Sequence, residues 1–323
     1  MRRGRSLLVL LAVVLAVGLL GALAPELIRR RVTFALVDLV AVVGLYVFAG
    51  NSGVLSFGSV GFMAVGAYVS ALLTMKPAAK AMFVPGLWTP IQAAEWPAPL
   101  GPLAGGVVAA VLAVLVGWPL MGLSGISASI ATFSLLVIVN VVIGNWTEVT
   151  GGQQSLMGLP PSTSLAAALA WALAAVVLAF AYGETRSALL LRASREDEMA
   201  ALASGVAIRR HRLIAFALSG FLSGVAGALL GHLVGVLRAD SYYIDLTFLI
   251  VAMLVIGGMH RLAGAVAGSL GMALVTELLR QSEAGLMLPG IGMVRAPAGV
   301  GDAVLALLML LVLLRRPEGL AGR

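Results

Sequence analysis

The sequence predicts an all-α, polytopic transmembrane helix bundle of about ten spans, and three observations carry that expectation. Of 323 residues, 61% are hydrophobic and only 11% charged, whereas a water-soluble domain is about half apolar and about a quarter charged. The mean hydropathy is +1.06. The apolar runs are long and unbroken and do not alternate with period 2. In lipid every backbone N–H and C=O has to be paired within its own helix or within a closed sheet, so such runs read as helices and not as barrel strands.

About 20 apolar residues cross a bilayer. On that measure the candidate spans are residues 7–24, 32–50, 54–74, 100–118, 120–144, 164–182, 213–236, 246–258, 262–279 and 300–314. The stretch 246–258 is short for a full crossing and is expected to tilt, thin the bilayer or belong to a broken helix. The whole chain, 1–323, reads as a single membrane domain, interrupted by one polar island at about 184–212.

The arginines set the orientation. Arg2, Arg3 and Arg5 precede the first span, and Arg315, Arg316 and Arg323 follow the last. The island holds Arg186, Arg192, Arg195, Arg209, Arg210 and Arg212. An even number of crossings puts both termini and the island on one side, which positive-inside bias makes the cytoplasm, and leaves 145–163 outside. Arg29, Arg30 and Arg31 are the exception, since they fall outside. The first span, with Arg2–Arg5 before it and Ala22-Leu23-Ala24 at its end, also resembles a cleavable leader, although its apolar stretch is longer than a signal core.

Charge and composition exclude several classes. The excess of 21 Lys+Arg over 14 Asp+Glu gives +7, but no basic patch carries interleaved aromatics, so nucleic acid is not expected as a partner. The absence of cysteine excludes disulfides, thiolate metal sites and a thiol nucleophile. No G-x-x-x-x-G-K-[ST] loop exists, since neither Lys76 nor Lys80 follows a glycine, so the chain does not bind nucleotide by that route. His211, His232 and His260 are scattered and form neither H-E-x-x-H nor a catalytic triad. No catalytic residue, metal site or cofactor is expected.

Three breaks in the apolar pattern remain. In the island, Ser194 to Ala201 has helix-forming composition, with Ser194 as the expected N-cap, Glu196, Asp197 and Glu198 in the first turn, and Gly205 as the stop. A short cytoplasmic amphipathic helix is expected, serving as a docking surface or simply as a connector. In the region 50–70, Asn51, Ser52, Gly53, Ser56, Gly58, Ser59, Gly61 and Gly66 interrupt an apolar run. Irregular backbone at membrane depth is tolerated where it is buried in protein or lines water, and a helix starting there would aim N–H groups into the bundle. Asn140 and Asn145 add polar groups near a membrane boundary. Asp38, inside the second span, reads either as a functional intramembrane carboxylate or as a wet residue near the outer interface. The glycines of the seventh span (Gly220, Gly224, Gly227, Gly231, Gly235) and of the ninth (Gly264, Gly268, Gly271) predict close helix packing.

Four blocks, in order, resemble the LivM-type permease subunits of bacterial ABC importers for branched-chain amino acids. They are Gly50-Asn-Ser-Gly-Val-Leu-Ser-Phe-Gly58 with Phe62 and Gly66-Ala67-Tyr68; Asn145-Trp146 with Thr150-Gly151-Gly152, Leu156 and Pro160; Arg192 to Glu198 with Ala200-Ala201, Gly205, Ala215-Phe216 and Gly224 to Leu229; and Gly257-Gly258 with Gly264 and Gly268. The resemblance spans nearly the whole chain. It implies a permease without its own nucleotide site, in the bacterial cytoplasmic (inner) membrane. Its partners would be membrane lipid, two ATP-binding-cassette ATPase subunits, a second homologous permease and an external substrate-binding protein. It implies ATPase coupling through Arg192, Arg195, Glu196, Asp197, Glu198 and Gly205, and a translocation path near Asn51, Ser52, Ser56, Ser59 and Asp38. Ser59 stands where many members have His, Tyr46 where a small polar residue is common, Ser155 where Gly is usual, and Met259-His260-Arg261 replaces a Gly-containing turn. The substrate class is therefore branched-chain amino acids or related small polar solutes. The competing expectation is a stand-alone secondary transporter or channel.

Overall fold

A computed structural model describes residues 2–284, 286–288, 292–294 and 307. Helices α1 (Arg2–Leu23) and α2 (Glu26–Ser52) form a hairpin at Ala24-Pro25, where proline supplies no N–H to continue the first helix. α2 is the central helix. It is buried almost without interruption from Leu36 to Ser52, which is why its sequence is apolar all round. α3 (Ser59–Thr74), α6 (Leu100–Leu120), α7 (Gly125–Asn145), α9 (Leu165–Gly183), α12 (Ile208–Val234), α13 (Ile244–Gly257) and α14 (Leu262–Ala284) complete the bundle. Between them lie the short helices α4 (Pro77–Phe83), α5 (Thr89–Ala93), α8 (Thr147–Thr150), α10 (Arg186–Glu196) and α11 (Glu198–Ala203).

Among the described residues, eight helices are long and apolar enough to cross a membrane, and α3 is a shorter apolar helix. The short eighth span of the sequence is the 14-residue helix Ile244–Gly257, preceded by a 3-10 turn at Ala239–Tyr242, so that the helical segment Ala239–Gly257 has 19 residues. The third span begins at Ser59 and not at residue 54, because 53–58 is not helical. The expected tenth span, 300–314, and the arginines after it lie outside the described residues.

α12 packs against α2, α3 and α6, and α13 against α14. Lipid gives helices no hydrophobic reason to associate, so contact depends on backbone approach. Glycines supply it. A Cβ at Gly66 of α3 would stand 2.2 Å from the Gly224 carbonyl oxygen of α12, and one at Gly105 of α6 would stand 2.4 Å from the Gly66 carbonyl oxygen. At the α13–α14 crossing, a Cβ at Gly257 would lie 2.1 Å from the Gly264 oxygen. Phe216 of α12 wedges between Phe48 and Phe62, edge-on to both at 5.1 and 5.3 Å between ring centroids.

At the end of the bundle opposite the polar island, β1 (Leu156–Met157) pairs antiparallel with β2 (Val236–Leu237). This ties the loop after α8 to the end of α12. His232, near the end of α12, is buried and joins three elements. Its Nδ1 lies 2.9 Å from the Pro160 carbonyl oxygen, which can only accept, so Nδ1 donates and Nε2 is left to accept from the Ser70 hydroxyl at 2.8 Å. Arg29 pairs with Glu26 and Arg31 with Glu277 of α14. Two of the three arginines that break the charge bias are thus held by carboxylates.

The polar island differs from its expectation. It contains two helices, not one, and Ser194 is not a cap. Ser194 is buried within α10, its hydroxyl donating to the Leu191 carbonyl at 2.8 Å. Ala188 and Leu191 bury against the bundle and carry the helix back to Arg186, so Ser194 falls two turns in. The caps are Thr185, which accepts from the Ala188 amide, and Asp197, which accepts from the Ala200 amide at 2.9 Å. Gly205, with φ +78°, ends α11; its own amide and that of Val206 bond back to Leu202 and Ala201.

Candidate translocation and coupling site

Helix α2 is buried through Ser52 and ends at the exposed Gly53, whose φ of +72° is the left-handed conformation that a side chain disfavours. The chain then runs through Val54-Leu55-Ser56-Phe57-Gly58 without helical bonding before α3 starts. Buried backbone groups freed from helical bonding need partners, and side chains provide them. Ser52 Oγ donates to the Phe48 carbonyl and accepts from the Val54 amide; Ser56 Oγ accepts from the Gly58 amide. From α7, Ser129 Oγ donates to the Leu55 carbonyl (2.8 Å), and Thr132 Oγ1 accepts from the Phe57 amide (3.2 Å). Asn51 Nδ2 bonds to the Val47 carbonyl at 2.9 Å. The Asn51 Oδ1 atom and the Ser59 hydroxyl are buried without partners among the described residues.

The structure thus brings Asn51, Ser52, Ser56 and Ser59 to one buried break. It does not bring Asp38 there. Asp38 is 13 residues before Asn51, about 20 Å up the helix, and is partly buried. It is also about 10 Å along α2 from Arg31, so it lies between the arginines at the start of α2 and the break at its end.

The island meets the break directly. Arg195 Nη1 donates to the Gly50 carbonyl oxygen at 2.9 Å, satisfying a carbonyl at the C-terminal end of α2. Its aliphatic stem lies over Gly53, where a Cβ would stand 2.5 Å from Arg195 Cγ. On the other side, Arg195 Nε and Nη2 both bond Glu196 Oε1, at 3.2 and 2.8 Å. The hydrogen bond and charge of Arg195 hold the Glu196 carboxyl below the ordinary carboxylate range. The Met259 carbonyl, in the α13–α14 turn, is the other wall: a Cβ at Gly50 would lie 2.5 Å from it.

The remaining island residues take different places. Arg192 bonds the Gly183 carbonyl at the end of α9. Glu198 pairs with Arg212 at 3.1 Å, and Arg212 also bonds the Leu123 carbonyl after α6. Asp197 and Glu196 are exposed, and so are Met199 (75%) and Leu202 (51%) on α11. Sequence reasoning missed Met199, Leu202, Arg212, Ser129 and Thr132. The last two were visible as polar residues three apart in an apolar helix.

An all-α polytopic bundle with an irregular, polar break between two apolar helices, linked to a polar island with exposed apolar residues, has the layout of a transport protein. The chain belongs to the family described as "Branched-chain amino acid transport system / permease component", which matches residues 27–313. It is similar to the high-affinity branched-chain amino acid transport system permease protein LivM of Escherichia coli, 28% identical over 322 residues, covering 89% of this chain and 68% of the relative. The LivM protein of Salmonella typhimurium matches to the same extent. A probable branched-chain amino acid transport permease protein LivH of Methanocaldococcus jannaschii is 29% identical over 139 residues, 43% of this chain and 42% of the relative. The protein is therefore a multi-pass inner-membrane permease component and not itself an enzyme, in a family whose importers work with ATPase and substrate-binding partners.

Proposed function

We propose that this single-domain chain is the LivM-type subunit of an ATP-binding-cassette importer that moves branched-chain amino acids or related small polar solutes inward. It works with a second homologous permease, two ATPase subunits and an external binding protein. The island, at about 184–212, faces the cytoplasm together with both termini. Glu196, Asp197 and Glu198, with the exposed Met199 and Leu202, form the ATPase-facing surface, and Arg192 and Gly205 fix the two ends of that surface. Asn51, Ser52, Ser56 and Ser59 line the cytoplasmic part of the path, and Asp38 lies farther up the same helix.

The observation that carries this reading is the bond from Arg195 to the Gly50 carbonyl. It gives the docking island a direct grip on the break, so that a rigid-body movement of α10–α11 reaches the path without an intermediate. A stand-alone transporter would have to draw its coupling from Asp38, which has no second acid beside it on α2. Reversing Glu196 and Glu198 to Arg is expected to abolish substrate-stimulated ATP hydrolysis in the reconstituted complex, while the detergent-extracted chain stays monodisperse. Normal stimulation in that double variant would overturn the docking assignment.

A further inference from the structure

The start of α3 carries donors that the bundle leaves unused. The amides of Ser59, Val60 and Gly61 have no acceptor among the described residues, and all three residues are buried. The Ser59 hydroxyl, on a residue 2% exposed, has none either. These donors are well below the cytoplasmic surface. Gly58 abuts Thr132, with a Cβ there 2.9 Å from the Thr132 oxygen, and Thr132 is seven residues into α7, about 10 Å from its cytoplasmic end.

Buried polar groups without partners are rare and call for a cause. The positive end of a helix dipole with free amides suits an anion, and the hydroxyl adds a fourth donor from the same turn. The cation at the break, Arg195, is already committed to Gly50 and Glu196. A cradle of neutral donors suits one negative charge better than two, which favours a carboxylate over a phosphate dianion. The end of α2 offers the opposite polarity in one atom: Asn51 Oδ1, a buried acceptor with no donor among the described residues. Broken helices in transporters present their two kinds of end to oppositely charged groups in this way.

We infer that the first turn of α3 is a carboxylate subsite of the path, in which the Ser59 hydroxyl and the amides of Ser59, Val60 and Gly61 hold the carboxylate of an α-amino acid whose ammonium group faces Asn51. The inference rests on the importer reading above and adds where the solute is gripped.

The test is direct binding of radiolabelled leucine to the purified permease–ATPase complex in nanodiscs, without the external binding protein, with leucinamide as the competitor lacking a carboxylate. The native complex is expected to bind leucine at least about tenfold more tightly than leucinamide, the size of one lost charge-assisted hydrogen bond. Ser59→Ala is expected to narrow that ratio, and Ser59→Thr, which keeps the hydroxyl, to restore it. Equal affinity of the native complex for leucine and leucinamide overturns the subsite without need of any variant. So does an unchanged ratio in Ser59→Ala. ATP-driven leucine uptake with the binding protein present, measured in parallel, separates the two claims. If uptake occurs and the ratio is flat, only the subsite fails; if no ATPase associates and no uptake occurs, the importer reading fails and the subsite with it.

Discussion

Arg195→Ala is expected to lower ATP-driven uptake about tenfold or more while the chain still folds and still co-purifies with its ATPase. Arg195 is mostly turned inward: its side chain is 22% exposed, against 74% for Glu196. Removing it deletes the bond to the Gly50 carbonyl, the packing over Gly53 and the pair with Glu196. A hydrogen bond from a charged donor contributes about 1.5–3 kcal/mol, which corresponds to roughly ten- to more than a hundredfold if it is made in only one of two transport states. The neighbouring surface of Asp197, Met199 and Leu202 is untouched, so docking should survive. Lysine at 195 keeps the charge but not the planar fork that serves Gly50 and Glu196 together, and should recover only part of the loss. The measurement is uptake per ATP hydrolysed in proteoliposomes; a native ratio in Arg195→Ala would show that the island acts on the path by another route.

Gly227→Leu is expected to be the most damaging change in the membrane domain. A Cβ there would stand 1.9 Å from the Met63 carbonyl oxygen and 2.6 Å from Met63 Cα, so the obstacle is backbone and not a side chain that can swing away. α3 cannot retreat, because one turn along it Gly66 is in equally close contact with Gly224, and Gly105 with Gly66. Overpacking a filled core costs about 3 kcal/mol, enough to remove much of a bundle's margin. The variant should be recovered as aggregate in size-exclusion chromatography. Gly183→Ala, where nothing lies within 4 Å of the added carbon, should elute as the native chain does.

The spans were legible because bilayer thickness sets their length, and the glycine spacing on α12 was legible because backbone contact needs small residues. The exact ends were less so. Residues 54–58 read as the start of a span because Val54, Leu55 and Phe57 are apolar, and the side-chain bonds that hold them out of the helix come from Ser129 and Thr132, more than 70 residues away, as well as from Ser52 and Ser56 nearby. In the island, Ser194 and Asp197 are both good caps by residue type. The burial of Ala188 and Leu191 on the bundle decides between them, and that is a tertiary fact. The cluster Asn51, Ser52, Ser56 and Ser59 was visible as polar residues in an apolar run, but its link to the island was not. Arg195 and Gly50 are 145 residues apart, and an arginine in a charged segment reads as solvent-facing until its partner is known. Asp38 drew notice for its charge alone, and the fold leaves it away from the break.

The central claim is that movement of the cytoplasmic island opens and closes the break between α2 and α3. The chain contains no cysteine, so Ser56→Cys introduces a single thiol at a position now 2% exposed. The most direct measurement is the rate at which a small maleimide labels that thiol in the reconstituted importer, in ADP and in ATP with vanadate. A rate that changes several-fold between the two nucleotide states, and no longer changes when Arg195→Ala is added, is the predicted result. Equal rates in both states would contradict it.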